Sequence, residues 1–157
     1  MKIVKLQKME KDELEKLIRE QMLCRIAFND NCYPYIAPFQ YAYVNGFLYF
    51  HLTDYGKKIA LIEKDNRVCI EIERYLPDLS EYYFIVLKGK LKLVEDPYER
   101  DDAIKIMAKQ GKEKLSRNFL AAHGFRKDIG WSSLTSKKPI LIYKLDEIRY
   151  KAGLKSP

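Results

Sequence analysis

The sequence predicts a mainly β protein, a closed or partly closed antiparallel β-barrel of six strands with two or three peripheral α-helices. Three observations predict it. Short apolar runs typical of strands recur between clusters of turn-forming residues. Asn45-Gly46 separates two of these runs, which is the strongest short-range hairpin signal. Between Leu87 and Leu93, apolar positions and Gly89 alternate with Lys88, Lys90 and Lys92, the period of a strand with one buried and one wet face.

The elements follow in order. Over residues 8–22, Leu14, Leu17, Ile18 and Met22 recur at helical spacing, and Glu10, Lys11, Glu13, Glu15 and Arg19 fill the opposite face, which predicts an amphipathic opening helix. Strands follow at 23–28, 33–44 and 47–52, punctuated by Asn29-Asp30-Asn31 and by Asn45-Gly46. Ile59, Leu61 and Ile62 predict a short helix over 57–64, and 68–73 reads as a strand. Pro77 and Asp78 mark a loop at 76–80 before the long lysine-alternating strand. Asp96-Pro97 opens another helix with an apolar stripe of Ala103, Ile104, Met107 and Ala108. Residues 111–137 hold a basic stretch, a helical piece around 119–122 and Trp131, the sole tryptophan, and a last strand runs over 140–150.

A chain of 157 residues is one ordinary domain, and 47% apolar with 32% charged residues is a globular balance. The net charge of +7 suits an anionic partner without choosing among a phosphate-bearing cofactor, an acidic substrate and nucleic acid. Cys24, Cys32 and Cys69 form no metal-binding or disulfide pattern and read as buried small hydrophobes in a reducing, cytoplasmic setting. The charged opening residues 1–5 carry no signal-peptide pattern, and no segment approaches the ~20 apolar residues that cross a bilayer.

The densest chemistry lies between Pro34 and Lys58. Tyr35, Ala37, Phe39, Tyr41 and Tyr43 share one strand face, and Pro34, Pro38 and Gln40 share the other. The two prolines cannot donate to a ladder and so mark an edge, a bulge or an interrupted strand, which leaves backbone groups open to a flat heterocycle. On the next strand Phe47, Tyr49 and His51 oppose Leu48, Phe50 and Leu52, and the His51 face is the candidate ligand surface. Thr53, Gly56, Lys57 and Lys58 then set a hydroxyl, a flexible turn and two ammonium groups at a helix start, a combination that can hold a phosphate.

The run from Pro34 through Ala37-Pro38-Phe39-Gln40-Tyr41, the Asn45-Gly46 hairpin, Leu48-Tyr49-Phe50-His51, Gly56-Lys57-Lys58 and Asn66-Arg67-Val68-Cys69 resembles the first half of the FMN-binding split-barrel family of pyridoxamine 5'-phosphate oxidases. Val86-Leu87-Lys88-Gly89-Lys90 through Asp96-Pro97 is similar to that family's later strand, turn and helix. The nitroimidazole-resistance-like branch is the nearer one. The resemblance implies a homodimer with FMN at the subunit interface and a small-molecule substrate. It implies that Lys57, Lys58 and Thr53 hold the phosphate, that the flavin edge lies along Ala37, Pro38, Phe39, Gln40 and Tyr41, and that His51 stands near the ring. Trp131 reads as a packed rim residue or as a flavin cover from the partner, and His123 as a surface-loop residue. The C-terminal Arg149-Tyr150-Lys151 segment departs from the oxidase pattern, so oxidation of the vitamin phosphate itself is disfavoured. The expected activity is two-electron transfer through the flavin. Alternatives keep the barrel and exchange the ligand for the deazaflavin coenzyme F420 or haem, or make it a basic nucleic-acid-binding module; membrane association is not expected.

Overall fold

The computed structural model describes residues 1, 3, 5–123, 126–135 and 140–157. Positions 2 and 4 of the charged opening, and 124, 125, 136 and 137 of the 111–137 region, lie outside them. The chain runs β1 (Gln7–Lys8), α1 (Lys11–Glu20), β2 (Leu23–Phe28), β3 (Tyr35–Gln40), β4 (Ala42–Val44), β5 (Phe47–Thr53), α2 (Lys57–Lys64), β6 (Arg67–Tyr75), β7 (Tyr82–Leu93), α3 (Pro97–Lys114), α4 (Arg117–Ala122), a 3-10 helix (Gly130–Thr135) and β8 (Ile140–Lys155). All strand pairs are antiparallel, in the order β3-β2-β6-β7-β8-β5-β4, with β1 added to β8.

Among the described residues, the six expected strands become seven on the main path plus β1, and the helices number four with the 3-10 helix beside them. The extra strand comes from the 33–44 run, which is cut at Tyr41. Its first part, β3, forms one edge of the sheet on β2, and its second part, β4, forms the opposite edge on β5. One run of chain therefore passes from edge to edge and curls the sheet into a barrel. Tyr41 marks the crossing: its N–H donates to the Met22 carbonyl (3.1 Å) and its hydroxyl to the Ile18 carbonyl (2.6 Å). Pro38 sits opposite Arg25 within the edge strand, where a missing N–H is tolerated.

Asn45 and Gly46 both have positive φ (50° and 85°), as a two-residue hairpin with the twist of its strands requires. Inside the barrel, Ile26, Phe28, Phe50, Ile70, Ile72, Leu87 and Leu145 meet Leu17 and Ile18 of α1. A second core lies under α3, α4 and the 3-10 helix, where Ala103, Ile104, Met107, Leu120 and Trp131 pack with Tyr49 of β5 and Ile142 of β8. The alternation of β5 divides accordingly, with Leu48, Phe50 and Leu52 in the first core and Phe47 and Tyr49 in the second. Asp96 caps α3 by accepting from the Glu99 N–H (2.9 Å), with Pro97 in the first turn.

The lysine-alternating strand buries Leu87, Gly89 and Leu91, but Leu93 at its end is exposed, because β7 stops there. Lys90 and Lys92 are ion-paired with Glu147, and Lys92 also with Asp146, whereas Lys88 is exposed with its ammonium 5.1 Å from the centre of the Tyr150 ring. Of the cysteines, Cys24 is buried as expected, whereas Cys32 is exposed in the turn between β2 and β3; all three are free thiols. No helix among the described residues is long and apolar enough to cross a membrane.

Candidate functional site

A cavity of about 490 Å³ opens where the two cores meet. Phe39 and Tyr35 of β3, Leu52 of β5 and Ile59 of α2 form its apolar walls, and Ile140, the first residue of β8, closes one side. His51 and Thr53 enter from β5 because they share the face that Phe47 and Tyr49 turn towards the second core. Lys57 and Lys58 enter from the first turn of α2.

The start of α2 is built for an anion. Gly56 is its N-cap at φ 100°, a backbone conformation that disfavours side chains, and it offers no capping side chain to the first-turn amides. No acidic residue stands in that turn, so the positive end of the helix is uncompensated. The two lysines differ. Lys57 lies 2.8 Å from Asp30, with its ammonium 4.8 Å from the centre of the Tyr35 ring. Lys58 stands 4.6 Å from the Phe39 ring centre and has no carboxylate partner among the described residues. Thr53 already donates its hydroxyl hydrogen to the Tyr55 carbonyl (3.0 Å), which leaves it lone pairs rather than a proton to offer.

His51 is neutral near pH 7. Burial pushes its pKa down to about 4, and the neighbouring His123 and Lys58 push in the same direction. His123, expected as a surface-loop residue, is exposed in the turn after α4 and also borders the cavity. Its ring centroid lies 5.9 Å from that of His51 at an interplanar angle of 63°. Leu120, one of the most deeply buried side chains, anchors α4 in the second core and so carries the residue after the helix to the cavity. The apolar stretch 119–122 was the available signal.

The remaining candidates lie elsewhere. Ala37 and Tyr41 are buried in the barrel core, and Pro38 is exposed on the opposite face of β3. Gln40 is 2% exposed, and neither atom of its amide head has a hydrogen-bond partner among the described residues. Trp131 is packed in the second core against Gly111 and stacks on Phe119, with centroids 6.2 Å apart. It does not line the cavity itself but touches Phe119, whose ring packs against that of His123, tilted by 31° with centroids 4.1 Å apart.

A family model described as pyridoxamine 5'-phosphate oxidase matches residues 10–124. The chain belongs to the pyridoxamine 5'-phosphate oxidase family. The matched span includes His51, Thr53, Lys57, Lys58 and His123, so apart from Ile140 every cavity residue named above lies within the family's own region. No curated protein matches the chain. Among solved structures, an FAD-binding protein from Mesorhizobium loti is 19% identical with a TM-score of 0.70, covering 97% of this chain and 99% of its own. A proposed 5-nitroimidazole antibiotic resistance protein from Bacteroides thetaiotaomicron is 20% identical with a TM-score of 0.69, covering 96% and 87%. An FAD-binding protein from Mycobacterium smegmatis is 13% identical with a TM-score of 0.67, covering 96% and 100%. At these identities the likeness is one of fold, and the fold of this family member is the mainly β split barrel expected from its sequence.

Proposed function

We propose that the cavity binds FMN and that the protein is an FMN-dependent oxidoreductase acting on a small organic molecule. The observation that carries this reading is the union, in one cavity, of an uncapped helix start beside the uncompensated Lys58 with flat apolar walls ending at a neutral histidine. The first half suits a phosphate and the second an uncharged heterocycle, so the residues present fit the group. The family membership and the FAD-binding neighbours support a flavin, and the cation cluster supports a phosphate-bearing form of it.

In this reading Lys58 and the first-turn amides of α2 hold the phosphate, with Lys57 as a secondary contact shared with Asp30. Phe39 and Ile59 pack on the ring system and exclude water. His51 presents an imidazole that can hydrogen-bond without adding charge beside the ring. FMN, when bound, supplies the two-electron transfer. The reading extends to a homodimer: Leu23 (47% exposed) and Ile36 (62% exposed) leave apolar surface on the β2–β3 edge for a second copy. Visible absorption of the purified protein before and after FMN addition, with mass spectrometry of any released ligand, tests the cofactor. A stoichiometric flavin spectrum supports the reading, and failure to bind FMN rejects it. Light scattering on a sizing column tests the dimer.

A further inference from the structure

His51 and His123 meet across the cavity although 71 residues lie between them, and the second ring is held from two sides. The Phe119 ring packs against it, tilted by 31° with centroids 4.1 Å apart, and the Phe119 carbonyl lies 2.8 Å from its Nδ1. A carbonyl oxygen only accepts, so Nδ1 carries a ring hydrogen, and in the tautomer with that single hydrogen Nε2 is a lone-pair acceptor. Nε2 makes no hydrogen bond among the described residues, and the ring is exposed where it borders the cavity. Phe119 in turn stacks on Trp131 at 6.2 Å with 18° between the planes, and Trp131 is fixed in the second core. The whole stack therefore holds one acceptor in one place.

Resting on the flavin reading above, we infer that His123 is a positioning residue that selects ligands bearing an O–H or N–H donor, which its Nε2 accepts at the imidazole end of the cavity. The donor belongs either to a small aromatic substrate or to the ring N–H of the flavin. Both are the same recognition chemistry, and an aromatic ligand suits walls made by Phe39 and Tyr35.

The test uses a matched pair, phenol and anisole, which differ by one methyl on the oxygen. Binding is read by Trp131 fluorescence in protein with and without FMN, and FMN affinity by flavin absorbance. Phenol is expected to bind about three- to tenfold more tightly than anisole, as one hydrogen bond allows. His123→Phe is expected to remove that preference, and His123→Gln, whose amide oxygen can stand near the place of Nε2, to restore it. His123→Asn, too short to reach, is a second loss variant should the phenylalanine variant misfold. If instead FMN affinity falls in the Phe or Asn variant and recovers in the Gln variant, the donor is the flavin's own. Equal binding of phenol and anisole, or binding of neither, together with FMN affinity indifferent to residue 123, overturns the inference. Should wild-type protein bind no FMN, the flavin reading fails, and the phenol–anisole comparison on flavin-free protein still decides the role of His123.

Discussion

The Tyr41 hydroxyl donates a 2.6 Å hydrogen bond to the Ile18 carbonyl, and both residues are about 1% exposed. The bond ties the edge-to-edge crossing between β3 and β4 to the last turn of α1. Tyr41→Phe keeps the packing and removes only the donor, which leaves a buried carbonyl near a helix end unsatisfied. The expected cost is about 1–3 kcal/mol. It should appear as a lower urea midpoint at unchanged slope; a midpoint equal to wild type would show that water reaches the carbonyl and that the crossing is held by packing alone.

The two lysines of the cavity should separate in a binding experiment. Lys58→Ala removes a cation that no carboxylate among the described residues compensates, and is expected to weaken FMN about tenfold or more while leaving riboflavin, which has no phosphate, nearly unchanged. Lys57→Ala removes a cation already engaged by Asp30, and the loss should be smaller. Flavin fluorescence quenching measures both. Equal losses for FMN and riboflavin in Lys58→Ala would move the phosphate away from α2.

Gly111 sets helix propensity against packing. In the interior of an exposed helix, Gly→Ala stabilises by roughly 1 kcal/mol. Here the Trp131 ring occupies the space that a Cβ on Gly111 would need, and that ring is buried. Gly111→Ala should therefore destabilise, by about 1–3 kcal/mol as overpacking does, and should shift the Trp131 emission because the ring must move. A raised melting temperature would mean that the ring relocates at no cost.

The legible parts of the sequence were those written in short-range patterns. The Asn45-Gly46 turn, the period-two strands, the Asp96-Pro97 helix start and the Lys57–Lys58 cluster beside Gly56 each depend on residues within a few positions of one another. What needed the third dimension was hidden. The cut at Tyr41 depends on carbonyls of Ile18 and Met22, some 20 residues upstream. β1 exists only because the far end of β8 comes back to it at Lys155 and Leu154. His123 has no periodic signal of its own, and its place follows from where the second core seats Leu120. The same holds for Thr53, whose residue type promised a donor while its geometry spends that donor on Tyr55.

His51 makes stability depend on pH in a window that can be worked out. Its pKa falls from 6.5 to about 4 on folding because burial disfavours the imidazolium, with His123 and Lys58 adding to the effect. Between those values the unfolded chain binds the proton and the folded chain does not, so stability falls as the pH is lowered through this range and levels off below about 4. A shift of this size corresponds to roughly 3–4 kcal/mol for one group. Carboxylates held low in the folded state, such as Asp65 beside Arg67, lose their contribution mainly at more acid pH, because an unfolded aspartate titrates near its ordinary value of 3.8. Urea midpoints at pH 7, 6 and 5 for wild type and His51→Gln isolate the histidine. The variant should lose most of the decline that wild type shows between pH 7 and 5, since an amide takes up no proton. Parallel curves for the two proteins would mean that His51 keeps an ordinary pKa in the folded chain, and that the cavity is wetter than its apolar walls imply.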